Sequence, residues 1–164
     1  MAYLLPIAVT ILKHGDRYLF LKRRKAPYEG LWALVGGKVI CGEHVHSAAI
    51  REVLEETGAP RVMNYDFRGL VSERLVDEAG TLLAHFLIFV GYAELEKYES
   101  DNREGELAAF AAEDVEESVA PFLPSDLYMF KSFVSPLNHD VMYEAELMRH
   151  RSGYTLTYYR TAGT

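Results

Sequence analysis

Cysteine is almost absent from this sequence. Cys41 is its single cysteine among 164 residues, so no disulfide bond can form within the chain. Disulfides are characteristic of secreted and extracellular proteins, whereas cytosolic proteins keep their thiols reduced. The sequence therefore favours a reducing, cytoplasmic location.

Long hydrophobic runs are lacking as well. The most apolar stretch, Tyr3–Leu12, is interrupted by Pro6 and ends at Lys13. It is too short to cross a bilayer, which takes about 20 apolar residues, and no basic leader or small-residue cleavage site accompanies it. The stretch is predicted to be a buried strand, and no association with a membrane is expected.

Positive charge is also in short supply. The sequence has 17 Lys and Arg residues against 24 Asp and Glu residues, a formal net charge of −7. Proteins that bind nucleic-acid polymers usually carry a basic face, so no such partner is expected. An acidic protein can still act on a phosphate compound if a bound divalent cation reverses the local electrostatic field. Clustered carboxylates are therefore of particular interest.

What the sequence does contain is typical of one folded domain. Of its 164 residues, 49% are hydrophobic, enough for a sizeable core in a single domain. Apolar alternation and turn-forming residues predict strands, and a helical periodicity predicts a helix from His44 to Thr57 and an interrupted one from Glu113 to Phe133. The predicted strands are Leu4–Lys13, Tyr18–Arg23, Leu31–Val35, Arg61–Leu75, Leu82–Leu95 and Leu107–Ala111, with a polar, acidic loop at Tyr98–Glu106.

The last segment, residues 135–164, has a different pattern. Apolar residues alternate with polar ones on both sides of Ser152-Gly153, which predicts a hairpin appended to the main domain. A helix through Met142–Arg149 is the alternative. The tyrosines of this extension could form a homodimer contact or cover a sheet edge.

Three glutamates share one side of the predicted helix. Glu52, Glu55 and Glu56 are spaced i, i+3, i+4 and fall on one side. Like charges at this spacing cost a helix about 0.2–0.5 kcal/mol per pair, so a compensating cation is a reasonable expectation. Carboxylate ligands suit Mg²⁺ or Mn²⁺. A solvated acidic face is the alternative. The opposite, apolar side is predicted to consist of Ile50, Val53, Leu54 and Thr57.

Residues 37–59 resemble the signature of a known family. They fit the pattern G-x5-E-x7-R-E-U-x-E-E-x-G-U of the Nudix hydrolases, in which U is a bulky aliphatic residue. Every fixed position matches, although Ala59 is smaller than the last position requires. The fixed positions are Gly37, Glu43, Arg51, Glu52, Glu55, Glu56 and Gly58. The preceding Leu31–Lys38 also resembles the family's strand into this box.

The resemblance implies a fold and a set of site residues. The fold would be α/β (α+β): a mixed β-sheet sandwiched between helices, with a core at about residues 4–134 and one domain over residues 1–164. Glu52, Glu55 and Glu56, with the Gly36 carbonyl, would hold Mg²⁺ or Mn²⁺. Glu43 and Arg51 would pair to brace the loop against the helix. Glu104 or Glu106, in the acidic loop, could supply a later catalytic acid.

The same resemblance implies the reaction. A Mg²⁺-dependent pyrophosphohydrolase would cleave the diphosphate linkage of a nucleoside diphosphate derivative: a (d)NTP, a nucleotide sugar or ADP-ribose. Arg23, Lys38 and Tyr28 are the candidates for contacting such a substrate. The alternative is a catalytically inactive module that binds nucleotides or regulates another protein. Such modules usually lose box glutamates, and this sequence retains all of them.

Overall fold

One mixed β-sheet and three helices form the fold of the described residues. The computed structural model describes residues 2–102 and 105–164, and within them the strands form a single 10-stranded sheet. The strands are β1 (Leu4–His14), β2 (Arg17–Arg23), β3 (Trp32–Ala33), β4 (Val35–Lys38), β5 (Met63–Asp77), β6 (Leu82–Glu94), β7 (Asp101–Asn102), β8 (Gly105–Phe110), β9 (Val141–His150) and β10 (Gly153–Thr161). The helices are α1 (Val45–Thr57), α2 (Ala112–Glu116) and α3 (Pro124–Phe133).

The sheet has the strand order β10-β9-β5-β6-β1-β2-β8-β7, with β3 beside β2 and β4 beside β1. Two of the pairings, β1 with β6 and β5 with β9, are parallel, and the remaining ones are antiparallel. The sheet is therefore mixed, as predicted.

Alternating residues of β1 explain why helices cover both faces. Val9 and Ile11 point into a cluster that contains Phe130 and Phe133 of α3. Ala8 packs against Ala48 and Ala49 of α1. Successive side chains of a strand point to opposite faces, so an apolar run such as β1 is buried only if both faces are covered. The predicted sandwich of a sheet between helices is confirmed.

The prediction of one strand over Leu31–Val35 was wrong. The segment forms two short strands, β3 against β2 and β4 against β1, which separate at Leu34. The Leu34 N–H donates a hydrogen bond to Asp126 Oδ2, at 2.8 Å, instead of joining a strand ladder. A side chain from α3 thus interrupts the strand. The acidic loop also contains more structure than expected, since β7 pairs with the start of β8.

The C-terminal extension is a hairpin, and its helical alternative was wrong. β9 runs parallel to β5 and pairs with it from Val141 to Arg149, so the hairpin extends the main sheet. Ala145 and Leu147 are 1% and 0% exposed, which explains the alternation in the sequence. None of the helices among the described residues is both long and apolar enough to span a membrane.

Candidate active site

Helix α1 follows the loop that leaves β4. Its last turn ends at Thr57, and Gly58 adopts a left-handed conformation (φ 65°) while its N–H donates to the Leu54 carbonyl. Glycine adopts this conformation without steric penalty. A Cβ added at Gly58 would lie 2.7 Å from the carboxylate of Glu99, so the acidic segment before β7 packs against this end of the helix.

The orientation of α1 differs from the prediction. Its buried side chains are Ala48, Ala49, Val53, Glu56 and Thr57, whereas Ile50 and Leu54 are half-exposed. The helix therefore turns part of its acidic side toward the sheet. The small side chains of Ala48 and Ala49 allow this, because they let the helix approach β1 closely. Of the predicted apolar side, Val53 and Thr57 are buried as expected, whereas Ile50 and Leu54 are not.

Two of the three glutamates lie against the glycines of β4. Glu56 is 6% exposed and accepts a hydrogen bond from the Gly36 N–H, with 3.3 Å between N and Oε1. A Cβ added at Gly37 would lie 2.5 Å from Glu52 Cδ and 2.6 Å from its Oε1. Glycine at position 37 therefore leaves room for the Glu52 carboxylate beside the backbone of β4.

Arg51 connects this helix to the loop before it. Its guanidinium donates to both carboxylate oxygens of Glu43, at 2.8 and 3.0 Å, and to the Lys38 carbonyl at 3.1 Å. It also contacts Glu52 at 2.8 Å and the exposed Glu55 at 3.3 Å. The hydrogen bond from Arg51 holds the pKa of Glu43 below its ordinary value. Hydrogen bonds to Glu43 and Glu52 raise the pKa of Arg51.

The fit of a divalent cation can be judged from these contacts. Among the described residues, no three His, Cys, Asp or Glu side chains are gathered closely enough to hold a metal as they stand, since Glu52 and Glu55 turn toward Arg51. Glu52 and Glu56 nevertheless both lie on the Gly36-Gly37 backbone, and the available donors are oxygens. Oxygen donors fit Mg²⁺ or Mn²⁺. Glu55, the third predicted ligand, is exposed and hydrogen-bonded to Arg51.

A cavity adjoins the same glycines. It has a volume of about 290 Å³, and its wall includes Gly36, Gly37 and the three predicted substrate-contacting residues Arg23, Tyr28 and Lys38. Trp32, in contrast, is buried against Phe110, with 5.2 Å between the ring centroids, and belongs to the core. The structure thus brings the basic and tyrosine candidates together beside the box.

Two acidic residues that sequence reasoning missed also line this cavity, which we name the carboxyl cavity: Glu73 on β5 and Asp126 on α3. Their side chains are buried, at 3% and 7% exposure. Burial raises the pKa of Glu73 to about 8 and that of Asp126 to about 7. A signal existed for Glu73, because it stands between Val71 and Leu75 in the alternation of β5 and therefore on its buried face.

Of the two acids predicted in the later loop, only Glu106 lies among the described residues. Glu106 is exposed on β8, opposite Lys22 of β2. Its neighbour Gly105 pairs with Arg23, which lines the carboxyl cavity, so Glu106 lies on a strand next to the site. Glu104 lies outside the described residues. A role for either acid stays a prediction.

Known proteins resemble this chain in both sequence and fold. An ADP-ribose pyrophosphatase from Methanocaldococcus jannaschii is 47% identical over 58 residues, 34% of each chain. The present chain thus aligns with about a third of that protein's length. An uncharacterized Nudix hydrolase from Bacillus subtilis is 27% identical over 128 residues, 77% of each chain.

A solved structure extends the likeness to the terminal hairpin. A mutator MutT protein from Bacillus halodurans superposes with a TM-score of 0.74 at 26% identity, over 98% of this chain and 99% of that one. The family model described as the NUDIX domain matches residues 4–133, which include β1–β8 and all three helices. The chain therefore belongs to the Nudix hydrolase family.

Proposed function

We propose that this chain is a Mg²⁺-dependent pyrophosphohydrolase that cleaves the diphosphate linkage of a nucleoside diphosphate derivative by attack of water. The observation that supports this most is the position of Glu52 and Glu56 on the Gly36-Gly37 backbone, beside a cavity whose wall includes Arg23 and Lys38. The residues of the box thus meet in space as well as in sequence.

Glu52, Glu55, Glu56 and the Gly36 carbonyl would hold Mg²⁺, with Mn²⁺ as a substitute. When bound, such an ion would supply positive charge against the negative charge that develops in the reaction and would make the attacking water more acidic. The protein's own residues do the positioning. Arg51 fixes the loop to α1 through Glu43 and the Lys38 carbonyl, which keeps Gly36 and Gly37 in place beneath the carboxylates.

Arg23 and Lys38 carry the positive charge of the cavity wall. In an acidic protein, these two side chains offer charge-assisted hydrogen bonds to phosphate oxygens, which are stronger than neutral ones. They would orient the diphosphate between the cavity and the glutamates. Orientation of this kind contributes much of the rate in phosphoryl chemistry.

Two positions compete for the role of general base, Glu52 and the acid of the later loop. Glu52 lies in the box, against Gly37. Glu106 lies on β8, one residue from the position opposite Arg23. Glu106→Gln separates them, because Glu52 is also a proposed metal ligand and its replacement lowers turnover in either case. A loss of turnover by on the order of 100-fold or more in Glu106→Gln would assign the base to Glu106, and near-normal turnover would leave Glu52.

The family and the relatives support the proposed substrate class. ADP-ribose is the substrate in the name of the Methanocaldococcus jannaschii relative, and (d)NTPs and nucleotide sugars carry the same phosphoric anhydride. The family's usual signal for ADP-ribose is a proline some fifteen residues past the box. This sequence has no proline around Asn64–Ser72. This favours nucleotides over ADP-ribose.

The decisive experiment is a substrate panel with Mg²⁺ in ¹⁸O-water. ADP-ribose, nucleotide sugars and the (d)NTPs are incubated with the protein, and phosphorus NMR identifies the products and the phosphorus that gains ¹⁸O. We expect cleavage within a diphosphate linkage, lost in Glu52→Gln and retained in the control Glu144→Gln, which alters an acid on β9. Absence of cleavage of every compound, or equal rates for the parent and Glu52→Gln, would contradict the proposal.

A further inference from the structure

The C-terminal hairpin packs behind one wall of the carboxyl cavity. Four residues of that wall also belong to an apolar cluster: Tyr28, Ala33, Phe86 and Leu123. The hairpin supplies Leu147 of β9 and Tyr154 and Leu156 of β10 to the same cluster, but no residue to the described wall itself. The hairpin therefore contacts residues that face the cavity without facing it.

Tyr28 occupies an unfavourable conformation in this wall. Its backbone is left-handed (φ 68°), which is uncommon for a large side chain. Its hydroxyl is buried without a hydrogen-bond partner among the described residues, which also disfavours the position. Other contacts must offset both costs. The ring of Tyr154 supplies one of them, because it meets the Tyr28 ring edge-on with 4.8 Å between the centroids, an arrangement that stabilises aromatic pairs.

Tyr28 belongs to a tight loop between β2 and β3. The Gly30 N–H donates to the Arg23 carbonyl at 2.8 Å, and the Leu31 N–H donates to the Tyr28 carbonyl at 3.0 Å. The Pro27 carbonyl accepts a hydrogen bond from Arg23 Nε at 2.9 Å. The loop thus fixes the guanidinium of Arg23, which carries positive charge in the cavity wall. Its conformation depends in turn on the position of Tyr28.

We propose that Tyr154 is a positioning residue for the substrate: it holds Tyr28, and with it the loop that orients Arg23, in the wall of the carboxyl cavity. This inference rests on the proposed function and gives that site a contribution from outside the matched residues 4–133. Without the Tyr154 ring, the loop populates conformations turned away from the cavity. Apparent affinity then falls in proportion to the fraction of molecules in the closed conformation. Bond cleavage is unaffected, because the glutamates of α1 take no part in these contacts.

Steady-state kinetics separate this role from a general loss of structure. The substrate is whichever of ADP-ribose, the (d)NTPs and the nucleotide sugars the parent cleaves fastest with Mg²⁺. In Tyr154→Ala we expect KM to rise about 3- to 10-fold, the range that loss of one aromatic contact supplies, while kcat changes by less than about 2-fold. Tyr154→Phe keeps the ring and should restore the parent's KM.

The matched control is Tyr158→Ala. Tyr158 lies on the same strand as Tyr154, but its ring contacts the Arg160 guanidinium, at 4.3 Å from the ring centroid, and does not contact Tyr28. We expect the KM of this variant to equal the parent's.

Amide hydrogen exchange measures the loop without substrate or metal. The Gly30 and Leu31 amides report its closure through their hydrogen bonds within the loop. We expect both to exchange faster in Tyr154→Ala than in the parent, by at least the factor seen in KM, and at the parent's rate in Tyr154→Phe and Tyr158→Ala. Thermal melts verify that each variant is folded. If Tyr154→Ala does not fold, Tyr154→Leu replaces it, because leucine keeps an apolar side chain in the cluster.

A double variant tests whether Tyr154 acts through Tyr28. In a Tyr28→Ala background, Tyr154→Ala should have no further effect on KM, because the contact is already lost. Additive increases in KM, or an unchanged KM in Tyr154→Ala, would overturn the inference. Unchanged exchange of the two amides in Tyr154→Ala would overturn it whether or not the parent hydrolyses any compound. Absence of turnover in the parent would refute the proposed function, and faster exchange in Tyr154→Ala would then still support the positioning of the loop by Tyr154.

Discussion

At the scale of single residues, two adjacent glycines have different roles. A Cβ at Gly36 would collide with the backbone carbonyl of Ala8 and lie 2.7 Å from Val9 Cα. A Cβ at Gly37 would instead meet the end of the Glu52 side chain. Neither glycine has a positive φ, so both are required for space. Gly36 allows β4 to pair with β1, and Gly37 leaves room for a carboxylate.

This difference predicts opposite phenotypes for two alanine variants. Gly36→Ala should lower the free energy of unfolding by about 1–3 kcal/mol, because a backbone segment must move. Gly37→Ala should leave stability nearly unchanged, because the flexible Glu52 can shift, but should reduce turnover by on the order of 100-fold through misplacement of that carboxylate. Denaturant titration and steady-state kinetics of both variants check this. Normal turnover in folded Gly37→Ala would show that the position of the Glu52 carboxylate beside Gly37 is not required for catalysis.

Glu73 gives a second residue-scale prediction, on pH. Its pKa is raised by burial from 4.5 to about 8. As the pH rises between these values, the unfolded chain loses this proton before the folded one does, so the carboxyl group destabilises the fold progressively. Glu73→Gln removes this cost. Its melting temperature should exceed the parent's by several degrees at pH 8, at about 2–4 °C per kcal/mol for a domain of this size, and the gain should disappear near pH 4.5. A gain that is independent of pH would refute the assignment.

At the scale of elements, the terminal hairpin is an integral part of the main sheet. β9 pairs with β5 through nine registered residues, Val141 to Arg149, and Leu147 is completely buried with Leu75 and Leu123. These contacts connect a segment beyond the matched residues 4–133 to the wall of the carboxyl cavity. The single domain predicted over residues 1–164 is therefore our proposal for the folding unit.

Leu147→Ala tests the structural role of the hairpin. Truncation of a buried leucine leaves a cavity and costs about 2–5 kcal/mol. The matched control is Leu137→Ala, because Leu137 is 94% exposed and its truncation should cost less than about 0.5 kcal/mol. Urea unfolding with one cooperative transition is expected for both. If Leu147→Ala were as stable as the control, or if the hairpin unfolded in a separate transition, it would not be part of the common core.

At the scale of the whole molecule, the sequence predicts features formed within one short segment. It misses features formed by segments that are distant in sequence. The helix Val45–Thr57, its end at Gly58 and the pair of Arg51 with Glu43 all lie within one short segment, where spacing determines geometry. The orientation of that helix was predicted only in part: Val53 and Thr57 are buried as expected, but the packing of Ala48 and Ala49 on β1 depends on a sheet strand distant in sequence. The carboxyl cavity needs β5 and α3 side by side, and residues 73 and 126 are too distant in sequence for any local pattern to connect them.

The central claim is that Glu52, Glu55 and Glu56 hold a divalent cation, and Mg²⁺-dependent melting tests it most directly. At about 100 times its dissociation constant, an ion that binds the folded state stabilises it by about 2.7 kcal/mol. We expect this gain for the parent and for Glu144→Gln. In Glu56→Gln the gain should be lost, although without metal its stability should equal or slightly exceed the parent's. An equal gain from Mg²⁺ in Glu56→Gln and the parent would contradict the account.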